Sequence, residues 1–236
     1  MNIIDVLIIL IILCSAVVGF KRGVLKELVM TVGFLLVFII SFYLKNPLAE
    51  WMSLHLPFFK FGGIVKGITS LNILLYQLIA FVVVFSLIMV IFRIVLSITG
   101  IIEKILKFTI ILGIPSKILG ALVGAIEGYI IAFAVVFVFN QPMFDVGIIN
   151  ESKYKDTILN STPILNKVVS GVEDTVVDVY NLVENNRNNN DANSINKQVI
   201  SIMLEHKVIT VEYVEKLIDY GKIRIAGIDS VLNQYR

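Results

Sequence analysis

The chain is short of charge, histidine and cysteine, and each scarcity removes a class of function. Only 16% of its 236 residues are Asp, Glu, Lys or Arg, where soluble domains carry about 25%. Two histidines, His55 and His206, lie in different regions, and no second histidine stands one helical turn from either. The one cysteine, Cys14, falls inside an apolar run and has no intrachain partner for a disulfide. There is no nucleophile elbow and no phosphate-binding glycine loop. A metal centre, a Ser/His/Asp triad and a bound cofactor therefore have no support, and an enzyme is not expected. The second half lacks a basic stripe, which argues against nucleic acid.

Apolar sequence is abundant. Hydrophobic residues make up 57% of the chain, and the mean hydropathy is +0.89. The charges that do occur are unevenly placed. Residues 1–141 carry 10 basic and 5 acidic residues, net +5, while residues 142–236 carry 10 basic and 13 acidic, net −3. This predicts a membrane domain over 1–141 and a polar helical tail over 142–236.

About 20 mostly apolar residues are needed to cross about 30 Å of hydrocarbon. Four segments qualify: Ile3–Phe20, Val24–Leu44, Ile73–Ile98 and Ile118–Phe139. The expected fold class is all-α, a polytopic membrane protein in contact with the lipid bilayer. No basic segment precedes the first run, and Asp5 sits where that charge would be, so residues 1–20 are expected to stay in the membrane. Residues 46–70 mix Trp51, His55, three phenylalanines, Lys60 and Lys66, a composition suited to the interface, with a re-entrant hairpin as the alternative. Residues Ile101–Leu112 place Glu103, Lys104 and Lys107 on one helical face, which predicts an amphipathic helix lying in the interface. Loop charge favours the 1–2 and 3–4 loops inside the cell and both chain ends outside. In the tail, Leu165, Val169, Val172, Val176, Val179 and Val183 recur as a heptad seam. An Asn-rich linker near 185–194 follows, then short helices over 195–206, 211–220 and 228–234.

Charged groups inside the spans are costly and therefore informative. Asp5 opens the first span and Glu27 the second, where a carboxylate suits the helix dipole. Arg93 lies late in the third, on a face with Ser86 and Ser97. Glu127 lies midway along the fourth, among Gly120, Gly124 and Gly128. At 100° per residue, Gly120 falls within about 20° of Glu127, so the carboxyl is expected to face a packed helix. The glycines form a tandem small-xxx-small array that admits another backbone. Glu127 reads either as a proton, ion or pathway site or as a glutamate that locks packing, with Arg93 as the candidate partner.

Three stretches resemble the colicin V production (CvpA) family of bacterial inner-membrane proteins. Asn2-Ile3-Ile4-Asp5 resembles its N-terminal start. Gly19-Phe20-Lys21-Arg22-Gly23-Val24-Leu25-Lys26-Glu27 resembles its most characteristic motif, and Leu119-Gly120 through Glu127-Gly128 resembles its fourth-helix motif. The last departs from the family in one respect, because Glu127 stands where a basic residue is usual. The resemblance covers residues 1–140. It implies a multi-pass protein of the bacterial cytoplasmic membrane, associated with colicin production or export and with envelope homeostasis, and no established enzyme activity. The expected mode of action is self-association or membership of a membrane complex through the glycine-rich fourth helix. The alternative is a small transporter or channel with Glu27, Arg93 and Glu127 along a polar path.

Overall fold

A computed structural model describes residues 2–98, 101–140, 151–186 and 191–236; at 64, 101–112 and 163 it describes the backbone alone. The first four helices are α1 (Ile3–Arg22), α2 (Val24–His55), α3 (Leu71–Ile98) and α4 (Ile101–Phe139). Five shorter ones follow: α5 (Lys155–Asn160), α6 (Pro163–Asn185), α7 (Ala192–Glu205), α8 (Val211–Asp219) and α9 (Asp229–Tyr235). A 3-10 turn, Gly63–Val65, precedes α3. The described residues form an all-α membrane protein with four helices long and apolar enough to span, over Ile3–Arg22, Val24–His55, Leu71–Ile98 and Gly113–Phe139.

Two span boundaries differ from expectation. Lys45, Asn46 and Pro47 were expected to end the second span, yet α2 runs on through Pro47 to His55. Its 32 residues make it about 48 Å long, well beyond the hydrocarbon thickness. Residues 46–55 are thus the end of α2, and the 3-10 turn Gly63–Val65 lies in the segment that leads on to α3. The helix is held past the proline by its own packing, since Ala49, Ser53 and Leu54 are buried. The fourth span begins earlier than Ile118. Gly113, at φ 59° and ψ −140°, breaks α4. Such a backbone costs glycine little. Pro115 follows in the first turn after the break, where its missing N–H is harmless. Residues 101–112 are helical ahead of that break; the expected charged face of Glu103, Lys104 and Lys107 lies outside the described side chains, and linker residues 187–190 lie outside the described chain.

The chain divides into two compact units. Of the described residues, the first holds 2–43, 83–140 and 151–166, and the second 44–82, 167–186 and 191–236. In the first, α1 packs along α4. A phenylalanine cluster joins α2 to α3 and α4: Phe34 and Phe38 meet Phe85 edge-on at 5.4 and 6.4 Å, and Phe38 meets Phe133 at 6.0 Å. Apolar contact between helices brings no hydrophobic gain in lipid, so shape-matched packing of this kind supplies the attraction.

The second unit is built like a soluble domain. Leu54, Ile68, Leu71 and Leu74 share one core with Val179 and Val183 of α6 and with apolar residues of α7, α8 and α9, among them Val199, Met203, Val214, Leu217 and Leu232. The heptad seam of α6 is buried at Leu165, Val169, Val176, Val179 and Val183. Asp191 and Thr210 cap α7 and α8 by accepting from the backbone N–H of Ser194 and Tyr213. Gly221 ends α8 at φ 66°.

Several polar groups in this unit are paired. Asn196 accepts from the Ser70 N–H at 2.8 Å and donates to the carbonyls of Gly67 at 3.0 Å and Ala192 at 2.7 Å. Gln77 is bonded to the Lys45 ammonium and donates to the Val208 carbonyl at 2.9 Å. The Tyr213 hydroxyl meets Ser53 Oγ at 2.6 Å. Lys216 bridges Glu50 at 2.9 Å and Glu212 at 2.8 Å. Hydrogen bonds to these two carboxylates push the Lys216 ammonium above the usual lysine range, and Lys216 in turn lowers Glu212.

Two predictions follow from this pairing. Asn196→Ala orphans the buried Ser70 N–H, so it should lower stability by about 1–3 kcal/mol, read as a reduced melting temperature of the purified protein. Burial pushes the Tyr213 phenol up to about 12. Its folded value exceeds the unfolded one, so its stabilising effect is whole below pH 10 and is lost as the pH climbs toward 12. The phenolate absorbance of wild type minus Tyr213→Phe should titrate near pH 12; a midpoint near 10 would contradict the burial.

Candidate functional site

The site grows from the contact between α1 and α4. Small residues recur along α1 at Ser15, Gly19 and Gly23, and along α4 at Gly120, Gly124 and Gly128. The helices run antiparallel, so that Gly120 meets Gly19 and Gly23, Gly124 meets Ser15 and Gly19, and Gly128 meets Ile12 and Ser15. The backbones are too close for side chains. A Cβ at Gly19 would overlap the Gly120 carbonyl oxygen and lie 2.9 Å from the Gly124 Cα. A Cβ at Gly128 would lie 2.8 Å from the Ile12 Cα. The glycine face of α4 is thus filled by α1 of the same chain. Association with a second copy would need a different face, for example the exposed stripe of Leu10, Leu13 and Val17 on α1.

This close approach sets the charged groups. α1 ends at Gly23, whose φ of 78° lets α2 begin at once. Arg22 therefore stands at the end of α1 and Glu27 in the first turn of α2. Arg22 Nη1 donates to Glu27 Oε2 at 3.3 Å and lies 3.8 Å from Glu127 Oε2. One guanidinium nitrogen thus joins carboxylates from α2 and α4. Glu27 is fully buried and Glu127 nearly so. The missing side chain at Gly124 makes room for them, since a Cβ there would lie 3.1 Å from Glu27 Oε1. Ser116 of α4 completes the junction by accepting the Val24 N–H at 3.3 Å, which satisfies a free amide of the α2 start.

The Glu27 carboxyl is only half satisfied. Its Oε1 and the hydroxyl of Thr31, one turn along α2, are buried without a hydrogen-bond partner. The neighbouring Glu127 carboxyl interacts with Glu27, but a carboxyl can donate only when it holds a proton.

The remaining candidates are placed as follows. Asp5 is fully buried and receives the Asn2 N–H at 2.9 Å, the Ser152 hydroxyl at 2.7 Å and the Lys153 N–H at 3.1 Å. It joins the start of α1 to the chain that follows α4. Lys21 is exposed. Arg93 is exposed near the end of α3 and makes no ion pair with Glu127; that contact belongs to Arg22. The pairing was missed because a helical wheel gives direction and not the identity of the facing helix. The available clue was the separation of five residues between Arg22 and Glu27 across a glycine turn. Outside this group, His55 stacks on Trp51 at 5.1 Å, and His206 meets Asp178 at 2.7 Å.

Gly124→Leu should separate α1 from α4 and cost about 1–3 kcal/mol or more through overpacking. A lower melting temperature in detergent would show it, with Ile126→Leu on the exposed face of α4 left unchanged.

A comparison with known proteins fits this geometry. A family model described as colicin V production protein matches residues 4–163. That range takes in α1 from Ile4 onward, α2, α3 and α4, with the glycine contact and the Arg22 bridge. The uncharacterized transmembrane protein YshB of Bacillus subtilis (strain 168) is 27% identical over 172 residues, which is 68% of this chain and 92% of that protein. No solved structure matches. With its four apolar helices and a family match over two thirds of its length, the chain belongs to the colicin V production protein family.

Proposed function

We propose that the chain is a non-enzymatic protein of the bacterial cytoplasmic membrane that supports toxin production or export and envelope homeostasis by acting as a structural member of a membrane assembly. The observation that carries this reading is the Arg22 bridge. Arg22 joins Glu27 and Glu127 at the place where glycine faces bring α1 against α4. Charges inside a membrane are kept where they pair, and here the pairing ties three helices at one point. The family description favours a role around secretion.

One observation favours a second reading, a small transporter or channel. Glu27 Oε1 and Thr31 Oγ1 are buried polar atoms on one face of α2 without partners. Such groups are what a permeating proton or ion would meet.

The test is complementation in the native host after removal of this chain. Removal should produce a defect in toxin secretion or in resistance to detergent, and wild type should restore it. Arg22→Ala should fail to restore it and should lose its high-mass band on native gels. Glu127→Gln keeps a polar group of the same shape and should restore both. Loss of function by Glu127→Gln with assembly intact would favour the pathway reading. Absence of any secretion or envelope defect on removal would refute the first.

A further inference from the structure

Beside the Arg22 bridge is a cavity of about 270 Å³ lined by Arg22, Lys26, Met30, Arg93 and Leu96. Its composition is unusual for a membrane protein. Three of the five lining residues are cations, drawn from α1, α2 and α3, and no acid is among them. Arg22 gives one nitrogen to Glu27 and Glu127, and a guanidinium has further N–H donors in its fork. Among the described residues, Lys26 and Arg93 enter no ion pair. Three cations held in one concavity repel each other unless an anion lies among them. The first turn of α2, to which Lys26 belongs, adds the positive end of a helix dipole.

We propose that this cavity binds a phosphate group, with Arg22, Lys26 and Arg93 as its ligands. Arginine forks suit the paired oxygens of a phosphate, and the lysine contributes a point charge. The apolar lining tells more about the molecule that carries the phosphate. Met30 and Leu96 form part of the wall, and the exposed Val90 continues that face of α3 one turn back from Arg93. A phospholipid can seat its headgroup among the cations while its chains follow that face. The cations lie where α1 and α3 end and α2 begins, the side that loop charge assigns to the cytoplasm, where anionic lipids are concentrated. Inorganic phosphate shares the charge chemistry but has no use for the apolar wall.

The experiment reads lipid retention and phosphate binding on the intact protein. Native mass spectrometry after reconstitution in mixed nanodiscs should show phosphatidylglycerol kept in preference to phosphatidylcholine. Lys26→Gln with Arg93→Gln should weaken that retention by roughly fivefold per cation and about thirtyfold together. Neither residue belongs to the Arg22 bridge, and an unchanged melting temperature of the double variant in phosphatidylcholine shows that the fold is kept. Lys21→Gln removes an exposed cation of the same turn and should leave retention unchanged. Titration of inorganic phosphate into phosphatidylcholine nanodiscs gives the second arm. Saturable binding lost in the double variant assigns the phosphate to a soluble source, and no binding beside strong lipid retention assigns it to the headgroup. Equal retention of both lipids without phosphate binding overturns the proposal. So does a double variant that behaves as wild type, or a Lys21→Gln loss equal to that of the pocket cations.

Discussion

The first unit depends on how closely α1 and α4 approach. In lipid, two apolar helices gain little by touching, because the acyl chains are as apolar as leucine. Approach must be rewarded by dispersion contact and by polar groups brought within reach. Glycine at 19, 120, 124 and 128 allows the first, and the Arg22 bridge to Glu27 and Glu127 supplies the second. The two are coupled. The space left by Gly124 is the space that the Glu27 carboxyl borders, so the glycine face serves the charges as well as the backbones. Removing Arg22 would leave the Glu27 and Glu127 carboxyls buried without a counter-charge, which costs more than the intact group contributes.

The second unit follows different rules. Its core draws on residues 54–74 and on α6 to α9, with apolar side chains meeting as they do in water-soluble proteins. Here the hydrophobic effect works, at roughly 25 cal/mol for each Å² of apolar surface removed from water. Polar residues inside it set register. The Asn196 amide bonds to Gly67, Ala192 and Ser70, and the Ser70 N–H would otherwise be buried unpaired. A slip of the segment before α3 against α7 would break the bonds to Gly67 and Ser70 together.

Local signals were readable in the sequence, and long-range ones were not. The four spans follow from apolar length. The tail helices follow from periodicity, while the Thr210 cap of α8 appears only in the structure. The close approach of α4 to another helix was legible in its glycine spacing, but its target was not. The glycines at 19 and 23 read as turn formers and are also the opposite half of that contact. Glu127 lies on the glycine face as the helical wheel requires, yet Arg22 rather than Arg93 reaches it, because only the fold brings the end of α1 to the middle of α4. The link from Asp5 to Ser152 spans 147 residues, and no local pattern marks it. Pro47 misled for a physical reason. A proline removes one helical hydrogen bond, and burial of Ala49 and Ser53 offsets that loss.

Arg22 belongs both to the carboxyl bridge and to the cationic cavity. Its guanidinium faces the carboxyls of Glu27 and Glu127 through one nitrogen and borders the cationic cavity with Lys26 and Arg93. Two carboxylates and three cations leave one positive charge uncompensated. An anion in the cavity would restore balance and reduce the repulsion among Arg22, Lys26 and Arg93. The same anion would compete with the carboxyls for Arg22. Occupancy of the cavity and the strength of the bridge are therefore linked, and the linkage acts both ways. A protein arranged in this way would hold its helices differently in a membrane rich in anionic lipid than in a neutral one.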